Sequence, residues 1–293
     1  MPFAIERCTV IAARRGTGTR CAIVSASDGL DPRPRVFAGD ASLVPCDDWT
    51  NYVRGVVAQY LPSLPGRACA FEAAVVSDVP LGGGLSSSAS LEVAAATMLE
   101  AMYSLTVPPT EKALRCQKCE HTFCDTPCGI MDQFISACAK QGHALLIDCR
   151  APYPTELVPI PTGDVTVVIA NSNVKHKLSG SEYPDRVRQC KEAAAAIRAS
   201  GHPGVRFLRD ASLEQLEGAA MPTTTRKRAR HGISEDMRTL QAKEALLAAD
   251  YARVGQLMLE SHRSLRDEYQ APAAPDVDLA CLGPAVPVKT SHP

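Results

Sequence analysis

Between Ser77 and Leu91 the chain reads Ser-Asp-Val-Pro-Leu-Gly-Gly-Gly-Leu-Ser-Ser-Ser-Ala-Ser-Leu, with Gly82, Gly83 and Gly84 followed closely by Ser86, Ser87 and Ser88. These residue types suit an oxyanion. Glycine accepts positive φ and lets the backbone close on a ligand. A helix that begins at the serines leaves its first N–H groups without internal partners and turns the positive end of its dipole toward the loop. Such a place binds phosphate, and serine hydroxyls there add hydrogen bonds or reach a metal ion that the phosphates carry. The run has neither the Gly-Lys-Ser/Thr ending of the common phosphate loop nor the Gly-x-Gly-x-x-Gly spacing of dinucleotide folds. The plain alternative is a strand-to-helix turn with a serine N-cap. One glycine and one serine would satisfy that turn; three of each point to phosphate.

Two carboxylates and a cation extend the chemistry. Asp132 stands in Gly129-Ile130-Met131-Asp132-Gln133-Phe134, where apolar neighbours make a charge costly unless something partners it. Such an acid is either a cap or functional. Glu120, near the end of a helical pattern, reads by itself as a solvent-exposed acid. Lys175 follows the apolar run Val165–Ala170, and the ends of strands are where α/β proteins place binding groups. Trp49, the only tryptophan, is either core or a flat face for a purine.

Elements must hold these groups in place. Ala68–Val76 reads as the strand before the glycine loop, and Leu91, Ala95, Met98, Leu99 and Met102 mark one face of the helix after it. Short β-rich runs at Cys8–Ala13, Cys21–Ser25 and Arg35–Phe37 open the chain. A helix N-capped by Asp48 carries Trp49, Tyr52, Val53, Val56, Val57 and Tyr60. Further helices are predicted over 110–122, 182–199, 226–246 and 252–265, with strands over His143–Cys149, Val165–Ala170 and Val205–Leu208. The basic run Arg226–His231 reads as a solvated helix face, and the proline-rich stretch from Ala271 as a disordered tail.

Composition narrows the class. The chain has 293 residues, 45% hydrophobic, 22% charged and a formal net charge of −1, which gives no electrostatic case for nucleic acid or an anionic membrane. No apolar stretch is long enough to span a bilayer, and the opening seven residues carry acid and base, unlike a signal peptide. Among the 12 cysteines, Cys116, Cys119, Cys124 and Cys128 lie near His121 in a pattern that could suggest zinc. Two of them fall inside a helical pattern, so buried free thiols are the better reading; such thiols suit a reducing, cytoplasmic setting.

Several strings together resemble the galactokinases of the GHMP kinase family: the glycine loop through Glu92, Cys-Gly-Ile-Met-Asp-Gln-Phe-Ile-Ser, Gly-His-Ala-Leu-Leu-Ile-Asp-Cys-Arg, Ser-Glu-Tyr-Pro and Glu-Ser-His-Arg-Ser-Leu-Arg-Asp. The resemblance runs to about Tyr269. It implies an α/β (α+β), two-lobed fold and ATP-dependent phosphorylation of D-galactose at its anomeric hydroxyl. By that resemblance Gly82, Gly83, Gly84, Ser86 and Ser87 hold ATP phosphates, with Trp49 beside the adenine. Ser88 and Glu120 fall where the family ligates Mg²⁺, a hard cation that prefers oxygen. Asp132 matches the residue that takes the proton from the sugar hydroxyl. Gly129 and Tyr183 match sugar contacts, and Lys175 a cation near the transferred group.

The resemblance also implies two departures. No Gly-Arg-x-Asn-x-Ile-Gly-Glu-His-Thr-Asp segment, which supplies an arginine and sugar contacts, precedes Cys8, and the chain turns into the proline-rich tail without a Gly-Gly-Gly-Phe-Gly-Gly loop. The expected organisation is therefore a nucleotide-binding lobe over 1–160, incomplete at its start, a second lobe over 161–269, incomplete at its end, and a tail over 270–293. A monomeric enzyme is expected, with small-molecule substrates and neither nucleic-acid nor membrane partners; the alternative is a form that binds MgATP without turnover.

Overall fold

The computed structural model describes residues 1–27, 31–160, 165–169 and 183–270, which fall into two compact units, the first being Met1–Leu157. The first unit is built on strands β1 (Thr9–Arg15), β2 (Arg20–Ser25), β3 (Arg35–Ala38) and β4 (Phe71–Ser77), in spatial order β1-β4-β2-β3. β4 runs antiparallel to β1 and parallel to β2, while β2 and β3 are antiparallel. β4 alternates as a half-buried strand should: Phe71, Ala73 and Val75 point inward, and Glu72 on the outer face pairs with Arg14 and Arg20.

The apolar face is covered by helices α1 (Asn51–Tyr60) and α2 (Ser87–Tyr103), against which α3 (Pro109–Phe123) and α4 (Met131–Cys138) pack. Ile23, Phe37, Val53, Val56, Tyr60, Phe71, Ala95 and Leu99 form one buried cluster, with Phe37 and Phe71 edge to face at 6.0 Å. Cys119 of α3 shows what its thiol does: it packs on Gly55 of α1, where a Cβ would not fit, and donates to the Tyr52 carbonyl at 3.2 Å. α1 begins two residues later than an Asp48 N-cap would place it. Thr50 is the N-cap, and Asp48 accepts from the Thr50 amide (2.8 Å) and hydroxyl (2.5 Å), fixing the turn that carries Trp49.

Strand β5 (His143–Ile147) ends sooner than its apolar pattern, pairs with β6 (Thr155–Pro159) and is bridged at Ala144 by Phe3. β6 was not foreseen, because Thr-Glu-Leu-Val-Pro is short and ends in a proline that usually demotes a strand.

The second unit is helical, with α5 (Tyr183–Ala199), α6 (Leu213–Gly218), α7 (Thr223–Leu247) and α8 (Tyr251–Ser264), the last running into a π-turn over Leu265–Tyr269. Its core joins Ala193, Ile197, Val205, Leu216, Ala229 and Ile233. Three expectations are corrected. Residues 165–169 form no strand and Val168 is 83% exposed; no described strand pairs with them, and β-propensity without a ladder partner fixes nothing. Val205–Leu208 is not a strand either: Val205 is buried, and Leu208 opens a 3-10 turn closed by the Asp210 carboxylate, which accepts from the Phe207 amide at 2.9 Å. The basic run is not a solvated face. Arg228 is 3% exposed and bonds the Glu268 carbonyl and, at 2.8 Å, Gln270 Oε1. Arg226 donates to the Leu216 and Ala219 carbonyls at 2.6 and 2.5 Å, satisfying acceptors left at the end of α6. The proline-rich stretch from Ala271, read as a tail, lies outside the described residues.

His231 sits in this seam, its Nδ1 2.9 Å from Ser264 Oγ and its ring 4.6 Å from Tyr269. Burial first, then Arg238 and Arg228, holds its pKa down from 6.5 to about 4. The unfolded chain therefore takes up this proton first, so stability present above pH 6.5 is lost as pH falls toward 4. The loss is at most about 1.4 kcal/mol per pH unit. The Tm of the wild-type chain should drop more steeply through this window than that of His231→Asn; parallel curves would contradict the assignment.

Candidate active site

The glycine loop joins the end of β4 to the start of α2, and both ends are fastened. Asp78 Oδ1 accepts from the Cys8 amide at 2.7 Å. A chain of hydroxyls runs from Ser90 in the first turn of α2 to Thr9 of β1 and on to Ser77 of β4, each step 2.8 Å. Within the loop Gly82 and Gly84 take φ of +68° and +71°, the region only glycine enters cheaply. Ser86, the N-cap residue, is also left-handed (φ 60°, ψ 40°) and makes no side-chain cap bond. The serine-cap alternative is thereby removed. The first amides of α2 and the hydroxyls of Ser86, Ser87 and Ser88 are left available to an anion.

Beside this helix start lies a cavity of about 220 Å³, lined by Trp49 and Tyr52 from the α1 end, Leu81 and Leu91, and Ser87 and Ser88 of α2. Aromatic and apolar walls interspersed with hydroxyls, among them Ser25, Ser27 and Ser77 from the strands, suit a polar ring. Trp49 packs against the core, and its indole Nε1–H is buried with no partner among the described residues. Helical spacing alone assigns Tyr52 no role; the turn before α1 brings Trp49 to the same cavity wall.

Glu120 is not solvent-exposed: in the last turn of α3 it is 3% exposed. Glu92 of α2, wholly buried, faces it; burial, and then the Glu120 charge, push the Glu92 carboxyl up to about 10. The same two acids, after burial itself and Cys124, push the Tyr52 phenol up to about 12. Among the described residues neither acid has an ion-pair partner. At neutral pH Glu92 therefore keeps its proton, a neutral acid buried beside Glu120. No three His, Cys, Asp or Glu side chains are grouped for a metal among the described residues. The donor set is thus too sparse for a protein-only cage, but it suits Mg²⁺, which is held through one or two oxygens with substrate phosphates and water.

Asp132 lies half-buried in the first turn of α4, where the helix dipole favours a carboxylate. Gly129 is exposed just ahead of that helix. The adjacent Gln133 donates from Nε2 to Glu92 Oε2 at 3.1 Å. Glu92 is five residues, about 8 Å of helix, from Ser87, so this bond ties the helix that carries Asp132 to the helix that the glycine loop opens. Sequence reasoning passed over Glu92 and Gln133; an acid sharing a helix face with Ala95, Ala96 and Leu99 was the available signal. Tyr183 opens α5 in the second unit, its side chain outside the described residues, as is Lys175.

Residues 51–140, which hold the loop, Glu120 and Asp132, match the family model for the GHMP kinases N terminal domain. The galactokinase of Homo sapiens is 45% identical over 287 residues, covering 95% of this chain and 70% of that protein. That of Roseiflexus sp. (strain RS-1) is 42% identical over 280 residues with the same coverage. The crystal structure of Lactococcus lactis galactokinase complexed with galactose superposes with a TM-score of 0.84 at 28% identity, over 92% of this chain and 69% of that one. No described helix is long and apolar enough to cross a membrane. The chain belongs to the galactokinase family of GHMP kinases.

Proposed function

We propose that this chain transfers the γ-phosphoryl group of ATP to the anomeric hydroxyl of D-galactose, giving galactose 1-phosphate and ADP, the entry step of galactose breakdown. The observation that carries this reading is the pairing of an uncapped, glycine-led helix start with Asp132 inside one unit, alongside 45% identity to a galactokinase. Phosphoryl transfer asks little covalent work of a protein: it needs the two substrates aligned and charge on the moving group balanced.

In this reading the amides of Gly82, Gly83 and Gly84 and the start of α2, with Ser86 and Ser87, hold the triphosphate. Trp49 and Tyr52 face the adenine. Gly129 and Tyr183 contact the sugar, whose hydroxyl gives its proton to Asp132 as its oxygen attacks phosphorus. Lys175 balances charge near the reacting oxygens. Ser88 and Glu120 are the residues that would hold Mg²⁺, which when bound neutralises charge on the phosphate oxygens. Free thiols throughout the described residues support a reducing, cytoplasmic setting, and we read the active species as a monomer.

Asp132→Asn should lower turnover, read as ADP released in the presence of galactose, by about 10²- to 10⁴-fold. The rise in Tm on adding MgATP should survive. Turnover close to wild type would mean that another group is the base. Trp49 supplies all the indole emission of the chain. ATP at concentrations that saturate the thermal shift should alter that emission, and galactose alone should not; emission indifferent to ATP would remove Trp49 from the nucleotide face.

A further inference from the structure

Glu92 and Gln133 have no part in the chemistry above, yet they are among the most deeply buried polar residues of the first unit, at 0% and 1% exposure. Their hydrogen bond joins the two helices that matter most. Glu92 projects from the helix whose start forms the phosphate site, and Gln133 is the neighbour of Asp132. Gln133 Nε2 also lies 3.8 Å from the Cys128 sulfur, beside Gly129. Among the described residues Glu92 Oε1 and Gln133 Oε1 are buried with no oxygen or nitrogen partner.

For packing alone this is a poor choice. Apolar side chains of the same size would fill the space, and replacing a buried polar pair in that way is often neutral or stabilising. What apolar contacts do not supply is a fixed offset, because they tolerate sliding of one helix on another. A buried hydrogen bond has one geometry, and breaking it strands two polar groups. We propose that Glu92 and Gln133 are positioning residues, a buried clamp that holds the first turn of α4, and with it Asp132, at a set offset from the phosphate loop. The proposal rests on the kinase reading for its consequence in turnover; the clamp itself is a property of the ligand-free chain.

Glu92→Met and Gln133→Met remove the bond at similar volume. Each should lower kcat about tenfold or more, since misplacement by an ångström costs that much, while KM for ATP moves less than about twofold because the phosphates bind on α2 itself. The double variant Glu92→Met/Gln133→Met, with both polar partners gone, should regain the Tm of the wild type but not its kcat. Glu92→Gln keeps an acceptor for Gln133 and should restore kcat to within about threefold of wild type. Without substrates, amide hydrogen exchange over residues 130–138 should quicken in Glu92→Met. Methionine variants with wild-type kcat, a kcat that returns with Tm in the double variant, or unchanged exchange over 130–138 would each overturn the clamp. A wild-type chain that makes no ADP from galactose and MgATP would instead sink the kinase reading, and the exchange comparison would still decide the clamp.

Discussion

The backbone N–H groups at the start of α2 are the constraint on which the rest of the structure depends. A helix start is ordinarily closed by a side chain of its own N-cap residue. Here Ser86 occupies that position in a left-handed conformation and contributes no such bond. A non-glycine residue held in that region costs about 1–2 kcal/mol, a cost the surrounding fold must offset. In the proposed reading the return is a set of free donors at the helix start, with the dipole adding to them, that an incoming phosphate would meet without reorganising the chain.

The fold offsets that strain by anchoring both ends of the loop. β4 is the central strand flanked by β1 and β2, and its inner residues are buried against α1 and α2. The Ser90–Thr9–Ser77 hydroxyl chain and the Asp78–Cys8 bond then fix the strand end and helix start to each other. Burying a side chain such as Phe71 or Leu99 contributes about 1.5–3 kcal/mol. A few such residues outweigh one strained serine. Acidic burial follows a different logic: Glu92 and Glu120 are both buried with no cation partner among the described residues, and burial leaves Glu92 protonated.

How far the sequence could be read depended on whether the cause was local. The glycine run, the strand before it and the helix after it carry their own instructions in residue type and period, and β4 and α2 fall where those instructions put them. The family could be read from the strings around Asp132 and the loop. Cys119 could be placed inside a helix, though not its seat against Gly55, which depends on how α1 and α3 pack. Long-range causes were not legible. Arg226 and Arg228 look solvent-facing until the carbonyls of a neighbouring helix end and turn are seen to need donors. The β-rich run at 165–169 has the composition of a strand but no described neighbour to pair with. Glu120 looked exposed because nothing in its own helix announces the buried acid opposite it.

In the proposed reaction the α2 start holds the triphosphate so that its terminal phosphorus faces Asp132 across the sugar hydroxyl. A crystal structure of the chain with galactose and a non-hydrolysable ATP analogue tests it most directly. Phosphate oxygens are expected on the amides of Gly82 to Ser87, adenine against Trp49, and the anomeric oxygen within hydrogen-bond distance of the Asp132 carboxylate. A nucleotide bound away from that loop, or a carboxylate turned from the sugar with the phosphate in place, would contradict it.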